Sequence, residues 1–233
     1  AIRGLTDRPR SAISGNSSYT AARIGEVYGV EAGVLLPSVV SDEFPAETGL
    51  DEPSETQNIS GPYTVSVGRA SWVKGTWETV SMLADSGVSL AHVGGGAEED
   101  LVRLTKHAES CGVGLWVAPR LSSPEMAALI RGARAVVSMA HGEPFGLTPV
   151  EAISVGTPAL MVDEGGFRDT VIDGVNGRLL PRDDLGAWHS ALEQAADGGT
   201  RTAWAESGRA RIAEMDLSPD AHCRRLESVL DCL

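Results

Sequence analysis

From residue 63 onward, short runs of apolar residues alternate with longer stretches in which apolar positions recur at helical spacing. This alternation is typical of an α/β protein with a doubly wound parallel sheet. The predicted strands are Tyr63–Gly68, Ser89–Val93, Val113–Ala118, Ala135–Ala140, Ala159–Val162 and Gly177–Leu180. The predicted helices are Lys74–Asp85, Glu98–Ser110, Ser123–Gly132, Thr148–Val155, Phe167–Ile172, Asp183–Ala196, about Arg201–Met215, and Pro219–Leu230. Trp188 lies on the apolar stripe of its helix, so we expect it in the core.

The N-terminal part has a different pattern. A short strand ends at Asn16-Ser17, a helix covers about Tyr19–Tyr28, and a strand follows at Gly33–Leu36. This piece is too small to bury a core alone. The next segment, residues 41–62, carries acidic side chains, no basic ones and three prolines, which indicates a solvated linker or hinge loop. The chain begins in mid-pattern without a methionine, which suggests a fragment.

Charge and composition narrow the function classes. The net charge of -13 over 233 residues argues against nucleic-acid binding and against docking on anionic lipid. The three cysteines have no metal-binding spacing, and no apolar run or signal peptide points to a membrane or to export. We therefore expect a cytoplasmic protein. Of the 19 basic residues only Lys74 and Lys106 are lysines, so a lysine at a motif position carries more weight than an ordinary surface charge.

The first predicted strand of the sheet is followed by two cationic side chains. Arg69 stands at the strand end and Lys74 at the start of the next helix. An arginine fork and an ammonium group beside a helix N-terminus form a binding site for a diphosphate, although a solvated pair on the rim is the alternative. The second strand ends in Gly94-Gly95-Gly96, which either lets the backbone approach a ligand or forms only a turn.

The stretch from Ser138 to Gly166 holds two glutamates in a loop-and-helix setting. Glu143 lies in the loop after a strand, and Glu151 lies in the first turns of the following helix. A carboxylate accepts hydrogen bonds from vicinal hydroxyl groups, so a cation pair with two glutamates suits a nucleotide diphosphate sugar. A simpler alternative is that Thr148-Pro149-Val150-Glu151 is a capping box, in which Glu151 only fixes the helix start.

Together these motifs resemble the family 4 retaining glycosyltransferases of the GT-B fold. The resemblance rests on Glu143-x7-Glu151 in its Glu-Pro-Phe-Gly setting, on Arg69-x4-Lys74-Gly75, and on Gly165-Gly166 with the downstream Asp173-Gly174. It implies a Rossmann-like sheet that forms the C-terminal half of a GT-B fold. Residues 1–40 would then be the trailing part of the acceptor domain, 41–62 an acidic linker, 63–217 the donor-binding domain, and 218–233 a helix that returns to the acceptor domain.

The resemblance also implies roles for individual residues. Arg69, Lys74 and Glu143 are the expected catalytic residues, with the first two on the diphosphate and Glu143 on the donor sugar. Glu151 would bind the ribose. The complete expected donor site is Gly68, Arg69, Lys74, Gly95, Glu143, Pro144, Phe145, Gly146, Leu147, Thr148 and Glu151. No cofactor or metal is expected, since such enzymes need no essential metal and the chain has no Asp-x-Asp motif.

The sequence departs from the family pattern at several points. Residues 37–40 lack the usual aspartate, Asp169 replaces a glutamate, and most of the acceptor domain is missing. We expect that domain in cis or on another chain. Through that domain the protein could also contact the inner face of the membrane. We also predict that the apolar face of the last helix, formed by Cys223, Leu226 and Leu230, packs on residues 11–36 or on another chain.

Other functions remain open at this stage. A sugar phosphorylase or a nucleotide-sugar epimerase on the same fold is one alternative, and a non-catalytic nucleotide-sugar-binding module is another. A glycoside hydrolase fits poorly, because hydrolysis gives no use for Arg69 and Lys74. The base, the sugar and the acceptor are not encoded in the motifs. The five histidines are interpreted as structural or surface residues, except that His141 lies close to Glu143.

Overall fold

The protein is described by a computed structural model that covers residues 11–39, 58–59 and 61–231. The acidic linker predicted at 41–62 therefore lies largely outside the described residues. The strands are β1 (Ser14–Gly15), β2 (Gly33–Val34), β3 (Tyr63–Val67), β4 (Ser89–Val93), β5 (Leu115–Val117), β6 (Ala135–Ser138), β7 (Ala159–Val162) and β8 (Arg178–Leu180). The helices are α1 (Ser18–Tyr28), α2 (Thr76–Leu83), α3 (Glu98–Ser110), α4 (Ser123–Gly132), α5 (Leu147–Ser154), α6 (Phe167–Thr170), α7 (Leu185–Gln194), α8 (Gly198–Met215) and α9 (Pro219–Asp231).

Strands β3 to β8 form one parallel sheet in the order β5-β4-β3-β6-β7-β8. This confirms the predicted doubly wound α/β architecture. The strand order reverses between β3 and β6, where the chain leaves one half of the sheet and starts the other. In such sheets the loops after the two central strands diverge and leave a crevice at their carboxyl ends, which is where ligands bind. The sheet therefore places the loops after β3 and β6 side by side.

The core lies on both faces of this sheet, between the strands and the flanking helices. Its strand residues, such as Val65, Leu90, Val136 and Leu160, are buried completely. Runs of apolar residues without alternation are what a parallel sheet covered on both faces requires. Trp188 is also fully buried, and its indole N–H donates to the Pro181 carbonyl, so the expectation that it belongs to the core is confirmed.

Residues 11–39 pack as a small unit against the carboxyl edge of the sheet. Strands β1 and β2 pair in parallel, and α1 follows β1 directly. A second apolar cluster, separate from the main core, joins this unit to the rest of the chain. It contains Phe145, Val150, Met215 and Leu217, with Leu36, Val39 and Ile212 packed against it. The unit therefore lies directly behind the loop that carries Glu143.

The beginning of the last helix is hydrogen-bonded to residues 11–39. The Val39 N–H donates to the Leu217 carbonyl, and the His222 ring bonds the Leu36 carbonyl at 2.7 Å. Farther along, Leu226 and Leu230 are 40% and 57% exposed, and Cys223 is exposed as well. The prediction that this apolar face packs on residues 11–36 is therefore wrong, because its three side chains are exposed. Packing on another chain stays a prediction.

Candidate functional site

The loop after β3 carries both predicted cations, and of the two only Lys74 lines a cavity described here. Arg69 is exposed, and Lys74 lies in the loop, two residues before α2 begins at Thr76, so it is not the first residue of the helix as predicted. The aliphatic stem of Lys74 lies over Gly68, where an added Cβ would stand only 3.4 Å from its Cγ and Cδ atoms. This distance is an ordinary van der Waals contact, and the φ of +131° at Gly68 is a backbone conformation that favours glycine, so Gly68 shapes the loop beneath the Lys74 stem.

Gly75 fixes where this loop ends. Its φ of 60° is in the left-handed region, and an added Cβ would lie 2.0 Å from the Met139 carbonyl oxygen. Only glycine allows this approach, which brings the loop after β3 into contact with the end of β6. The His141 N–H also donates to the Val73 carbonyl at 2.8 Å. The two central loops are thus locked together by backbone contacts.

Lys74 and Glu143 meet across the crevice. The Lys74 Nζ atom lies 2.7 Å from Glu143 Oε2, and the two side chains are 38% and 20% exposed. Both sit in a cavity of about 340 Å³. The predicted cation and the predicted sugar-binding carboxylate are therefore neighbours in space although 69 residues separate them in the chain.

The Glu143 loop is held by the turn after β7. The Gly166 N–H donates to the Glu143 carbonyl at 2.7 Å. An added Cβ on Gly165 would lie 2.6 Å from that carbonyl oxygen, and one on Gly166 would lie 2.4 Å from the Pro144 carbonyl oxygen. The Gly165-Gly166 pair therefore permits close packing of two loops. This contact fixes the backbone at Glu143 and leaves its carboxylate directed at Lys74.

Helix α5 begins at Leu147 and is preceded by Gly146 in a left-handed conformation, with no side chain capping its N-terminus. The capping-box alternative is therefore wrong, because the N-cap is Gly146, and Thr148 and Glu151 both lie inside the helix, two residues later than such a box requires. Because no side chain caps this helix, the backbone N–H groups of its first turn can donate hydrogen bonds to a bound anion. Glu151 is half-buried and engaged within the protein, and it does not line the cavity of Lys74 and Glu143.

The cavity combines predicted and unpredicted residues. Its predicted members are Gly68, Lys74, Glu143, Pro144, Phe145, Gly146, Leu147 and Thr148. Asn16, Pro37 and Val67 also line it, and sequence reasoning did not place them there. Asn16 comes from the small N-terminal unit, and its side-chain oxygen accepts from the Thr20 hydroxyl at 2.9 Å. Asn16 is far from Glu143 in the sequence. The resemblance of the Asn16-Ser17 segment to the family was therefore the only sequence feature that could have placed it at this site.

The N-terminal unit is attached to this site by polar contacts at the start of α1. The Ser17 hydroxyl donates to the Pro144 carbonyl, beside Glu143. The Ser18 N–H donates to Asp169 Oδ2 at 2.7 Å, and the Ser18 hydroxyl also bonds this carboxylate. Asp169 therefore binds the positively polarised N-terminus of α1, which gives a role to the acid that departs from the family pattern.

Gly95 faces a different cavity from Lys74. A space of about 690 Å³ at the ends of β4 and β5 is lined by Val93, Gly94, Gly95, Leu101, Val117, Ala118, Pro119, Arg120 and Leu121. The loop after β3 is bonded to this glycine segment, because the Ala70 N–H donates to the Gly95 carbonyl at 2.7 Å. The structure thus places Gly95 next to the expected site, and a donor contact there stays a prediction.

A chain of polar contacts supports the rim of the site. The rings of Trp72 and His141 stack at 4.3 Å, and His141 Nε2 lies 2.8 Å from Glu78 Oε2. Arg182 joins Glu78 to Glu164 and donates to the Met139 carbonyl at 2.7 Å. Trp72 is 69% exposed. His141 therefore has a definite structural partner, and sequence reasoning singled it out only for its proximity to Glu143.

In the described part of the chain, no group of three histidine, cysteine or acidic side chains is arranged to hold a metal ion. None of the described helices has the length and apolar character needed to cross a membrane.

Comparison with known proteins identifies relatives. Residues 51–211 match the model of the family described as glycosyl transferases group 1. The chain is 33% identical over 189 residues to a D-inositol 3-phosphate glycosyltransferase of Xylanimonas cellulosilytica, covering 78% of the chain and 45% of the relative. It is 32% identical over 164 residues to a glycogen synthase of Mycobacterium tuberculosis, covering 66% and 37%. The chain thus spans less than half the length of these relatives.

Solved structures share the fold. The HepE protein of Anabaena, solved with UDP and glucose, superposes with a TM-score of 0.79 at 18% identity, covering 100% of this chain and 66% of that one. The C-terminal domain of a glycosyl transferase group 1 family protein of Francisella tularensis gives 0.65 at 19% identity, covering 78% of this chain and 100% of that domain. The predicted Rossmann-like, C-terminal half of a GT-B fold is confirmed.

Proposed function

The chain belongs to the glycosyl transferases group 1 family, and on that premise we propose that it supplies the donor site of a retaining glycosyltransferase. The enzyme would move a sugar from a nucleotide diphosphate sugar to an acceptor. The observation that carries this proposal is the Lys74–Glu143 pair, which lies in a cavity where the strand order of the sheet reverses. A cation for phosphate and a carboxylate for hydroxyl groups are adjacent at the place where this fold binds ligands.

Each proposed role follows from the chemistry of the side chain and its position. Arg69 and Lys74 bind the diphosphate, and the N–H groups at the start of α5 assist them. When the sugar departs, negative charge grows on the leaving nucleoside diphosphate, and these fixed donors stabilise it. Glu143 accepts hydrogen bonds from the sugar hydroxyls and positions the sugar. A further role in binding the ribose is proposed for Glu151, on the family resemblance alone.

The two cavities suit the two halves of the donor. The smaller one, with Lys74 and Glu143, accommodates the sugar and the diphosphate. The larger one is bordered by Gly94 and Gly95 and lined mainly by apolar side chains, which favours the flat nucleoside. Since a structural neighbour was solved with UDP, a uridine nucleotide is the first candidate. No metal or cofactor takes part in this proposal, in which Arg69 and Lys74 offset part of the charge of the diphosphate.

The chain spans less than half the length of the two curated relatives, so the acceptor site is part of the proposal. We propose that an acceptor domain, in cis or on another chain, completes the site on the side of α1, and that the enzyme works in the cytoplasm. Ser17 bonds the Glu143 loop and Asp169 of α6 bonds the start of α1, so these two residues would then connect the acceptor side with the donor side.

The test is thermal melting of the chain with UDP, GDP, ADP and dTDP, with and without magnesium, for the wild type and Lys74→Ala. A ligand at about ten times its Kd adds about 1.4 kcal/mol to the free energy of unfolding, which raises the melting temperature of a domain of this size by roughly 3–6 °C. We expect a shift with one nucleotide that magnesium does not change and that the variant loses. An equal shift in Lys74→Ala, or none with any nucleotide, would contradict the proposed donor site.

A further inference from the structure

The only fully buried histidine among the described residues lies beneath the loops of the proposed site. His92 stands on β4 and is 1% exposed. Its Nδ1 atom lies 3.0 Å from the Ser66 hydroxyl on β3, and its Nε2 atom lies 3.2 Å from the Gly95 carbonyl oxygen. The ring therefore joins the two neighbouring strands to the glycine loop that follows β4.

The contacts define which nitrogen carries the proton. A carbonyl oxygen only accepts hydrogen bonds, so Nε2 must be protonated and donate to Gly95. Burial lowers the pKa of His92 from its ordinary value of 6.5, although the bond to the Gly95 carbonyl acts in the opposite direction. In the neutral ring Nδ1 is an acceptor, and the Ser66 hydroxyl donates to it. Both nitrogens are then satisfied, and the ring has one orientation.

The Gly95 carbonyl is shared by two donors. Besides His92 it accepts the N–H of Ala70, at 2.7 Å. Ala70 belongs to the loop after β3, between Arg69 and Lys74. The two loops also touch directly, since an added Cβ on Gly94 would lie 2.6 Å from the Gly68 carbonyl oxygen. A displacement of Gly95 would therefore be transmitted to the loop that carries both cations.

We propose that His92 is a positioning residue for the donor site: through the Gly95 carbonyl it holds the loop of Arg69 and Lys74 in the geometry that binds a diphosphate. The inference rests on the proposed function. His92 itself does not touch the ligand. It fixes the boundary between the two cavities, so its removal loosens the cationic loop without removing a cation.

Three variants separate this role from that of an ordinary core residue. His92→Leu removes the donor to Gly95. His92→Gln keeps an N–H donor at a similar distance from the main chain and is the rescue variant. His189→Leu is the matched control, because His189 Nε2 bonds the Met82 carbonyl at 2.9 Å, between α7 and α2 and outside both cavities. Each variant of the 233-residue chain is titrated with UDP, GDP, ADP and dTDP, and its amide hydrogen exchange is measured without ligand.

We expect His92→Leu to weaken binding of the preferred nucleotide by about 3- to 10-fold, the range of one neutral hydrogen bond. It should also speed amide exchange over residues 68–75. His92→Gln should restore both, and His189→Leu should change neither, even if it lowers the melting temperature. The proposal is overturned if His92→Leu lowers only the melting temperature, or if His92→Gln does not restore binding and exchange.

The exchange measurement separates this proposal from the proposed function. If the wild type binds none of the four nucleotides, the proposed donor site fails. Exchange over residues 68–75 still decides whether His92 holds the loop: unchanged exchange in His92→Leu overturns that role, and faster exchange that His92→Gln reverses supports it.

Discussion

The ion pair between Lys74 and Glu143 leads to a prediction of opposite effects on two related ligands. In the structure the two side chains are bonded to each other. A bound diphosphate would draw Lys74 away from Glu143, and the carboxylate would then be available to the sugar. Glu143→Gln removes the charge but keeps the size of the side chain. We therefore expect it to strengthen binding of a nucleoside diphosphate and to weaken binding of the corresponding nucleotide sugar.

The magnitude follows from the distance and the exposure of the pair. Two unit charges 2.7 Å apart attract by about 6 kcal/mol at an effective dielectric constant of about 20. Lys74 is more than a third exposed and Glu143 is one-fifth exposed, so solvent screening reduces the net value to about 1 kcal/mol. Releasing Lys74 should therefore tighten nucleoside diphosphate binding about fivefold. Loss of a charged hydrogen bond to the sugar costs about 1.5–3 kcal/mol, which leaves nucleotide-sugar binding about tenfold weaker on balance.

Isothermal titration calorimetry measures both effects in the wild type and the variant. The ligands are UDP and UDP-glucose, or the corresponding pair with another base if thermal melting identifies one. Glu164→Gln is the control, since it removes a carboxylate from the same edge of the sheet, where Glu164 pairs with Arg182. The control corrects for the general gain in anion binding when one negative charge is lost. If Glu143→Gln weakens or leaves unchanged the affinity for both ligands, Lys74 is not held by Glu143 in the free protein and the reasoning is refuted.

Three further predictions concern the loops, the catalytic step and pH. Gly165→Ala should lower the free energy of unfolding by about 1–3 kcal/mol and weaken nucleotide binding, because the new Cβ would meet the Glu143 carbonyl oxygen at 2.6 Å. Thermal melting and nucleotide titration check this. Gly87→Ala controls for backbone strain alone, because Gly87 has a similar φ and nothing within 4 Å of an added Cβ. In the complete enzyme Lys74→Ala should lower kcat by roughly 10²–10³, and steady-state kinetics with an unchanged kcat would contradict its role in departure of the leaving group. The pKa of His92 is lower in the folded state than its ordinary 6.5, so the folded protein binds fewer protons than the unfolded one, and the free energy of unfolding should fall as the pH drops below about 6.5. The melting temperature of His92→Gln should depend less on pH over this range. Equal pH profiles for the wild type and this variant would contradict the prediction.

The sequence predicted the elements well because their boundaries are local properties. The bounds of β4, α3, α4 and β7 agree with those predicted, since glycine, serine or proline stands at or beside at least one end of each. The errors lie at loops whose ends depend on tertiary contacts. Helix α2 starts later than predicted because Gly75 takes a left-handed conformation against Met139, and no sequence pattern shows that contact.

The candidate site was predictable in its composition but not in its geometry. Arg69, Lys74 and Glu143 stand at strand ends, and the carboxyl ends of parallel strands share one edge of a sheet. The direct pairing of Lys74 with Glu143 depends on the strand order, which places β3 beside β6. Such pairing is a property of the assembled sheet and not of either segment.

Contacts between distant segments were missed for the same reason. Asn16 lines the cavity, and Ser17 bonds the Pro144 carbonyl across 127 positions of the chain. The role of His92 was also hidden, because a single histidine in an apolar strand looks like a core residue. Its two partners, Ser66 and Gly95, are visible only once β3 and β4 are paired.

The most direct test of the central claim is a crystal structure of the chain with the nucleoside diphosphate that gives the largest melting shift. The account predicts a diphosphate within hydrogen-bonding distance of Lys74 Nζ, between the loop after β3 and the start of α5, with Lys74 moved away from Glu143. A nucleotide bound elsewhere, with the Lys74–Glu143 pair intact at 2.7 Å, would contradict it.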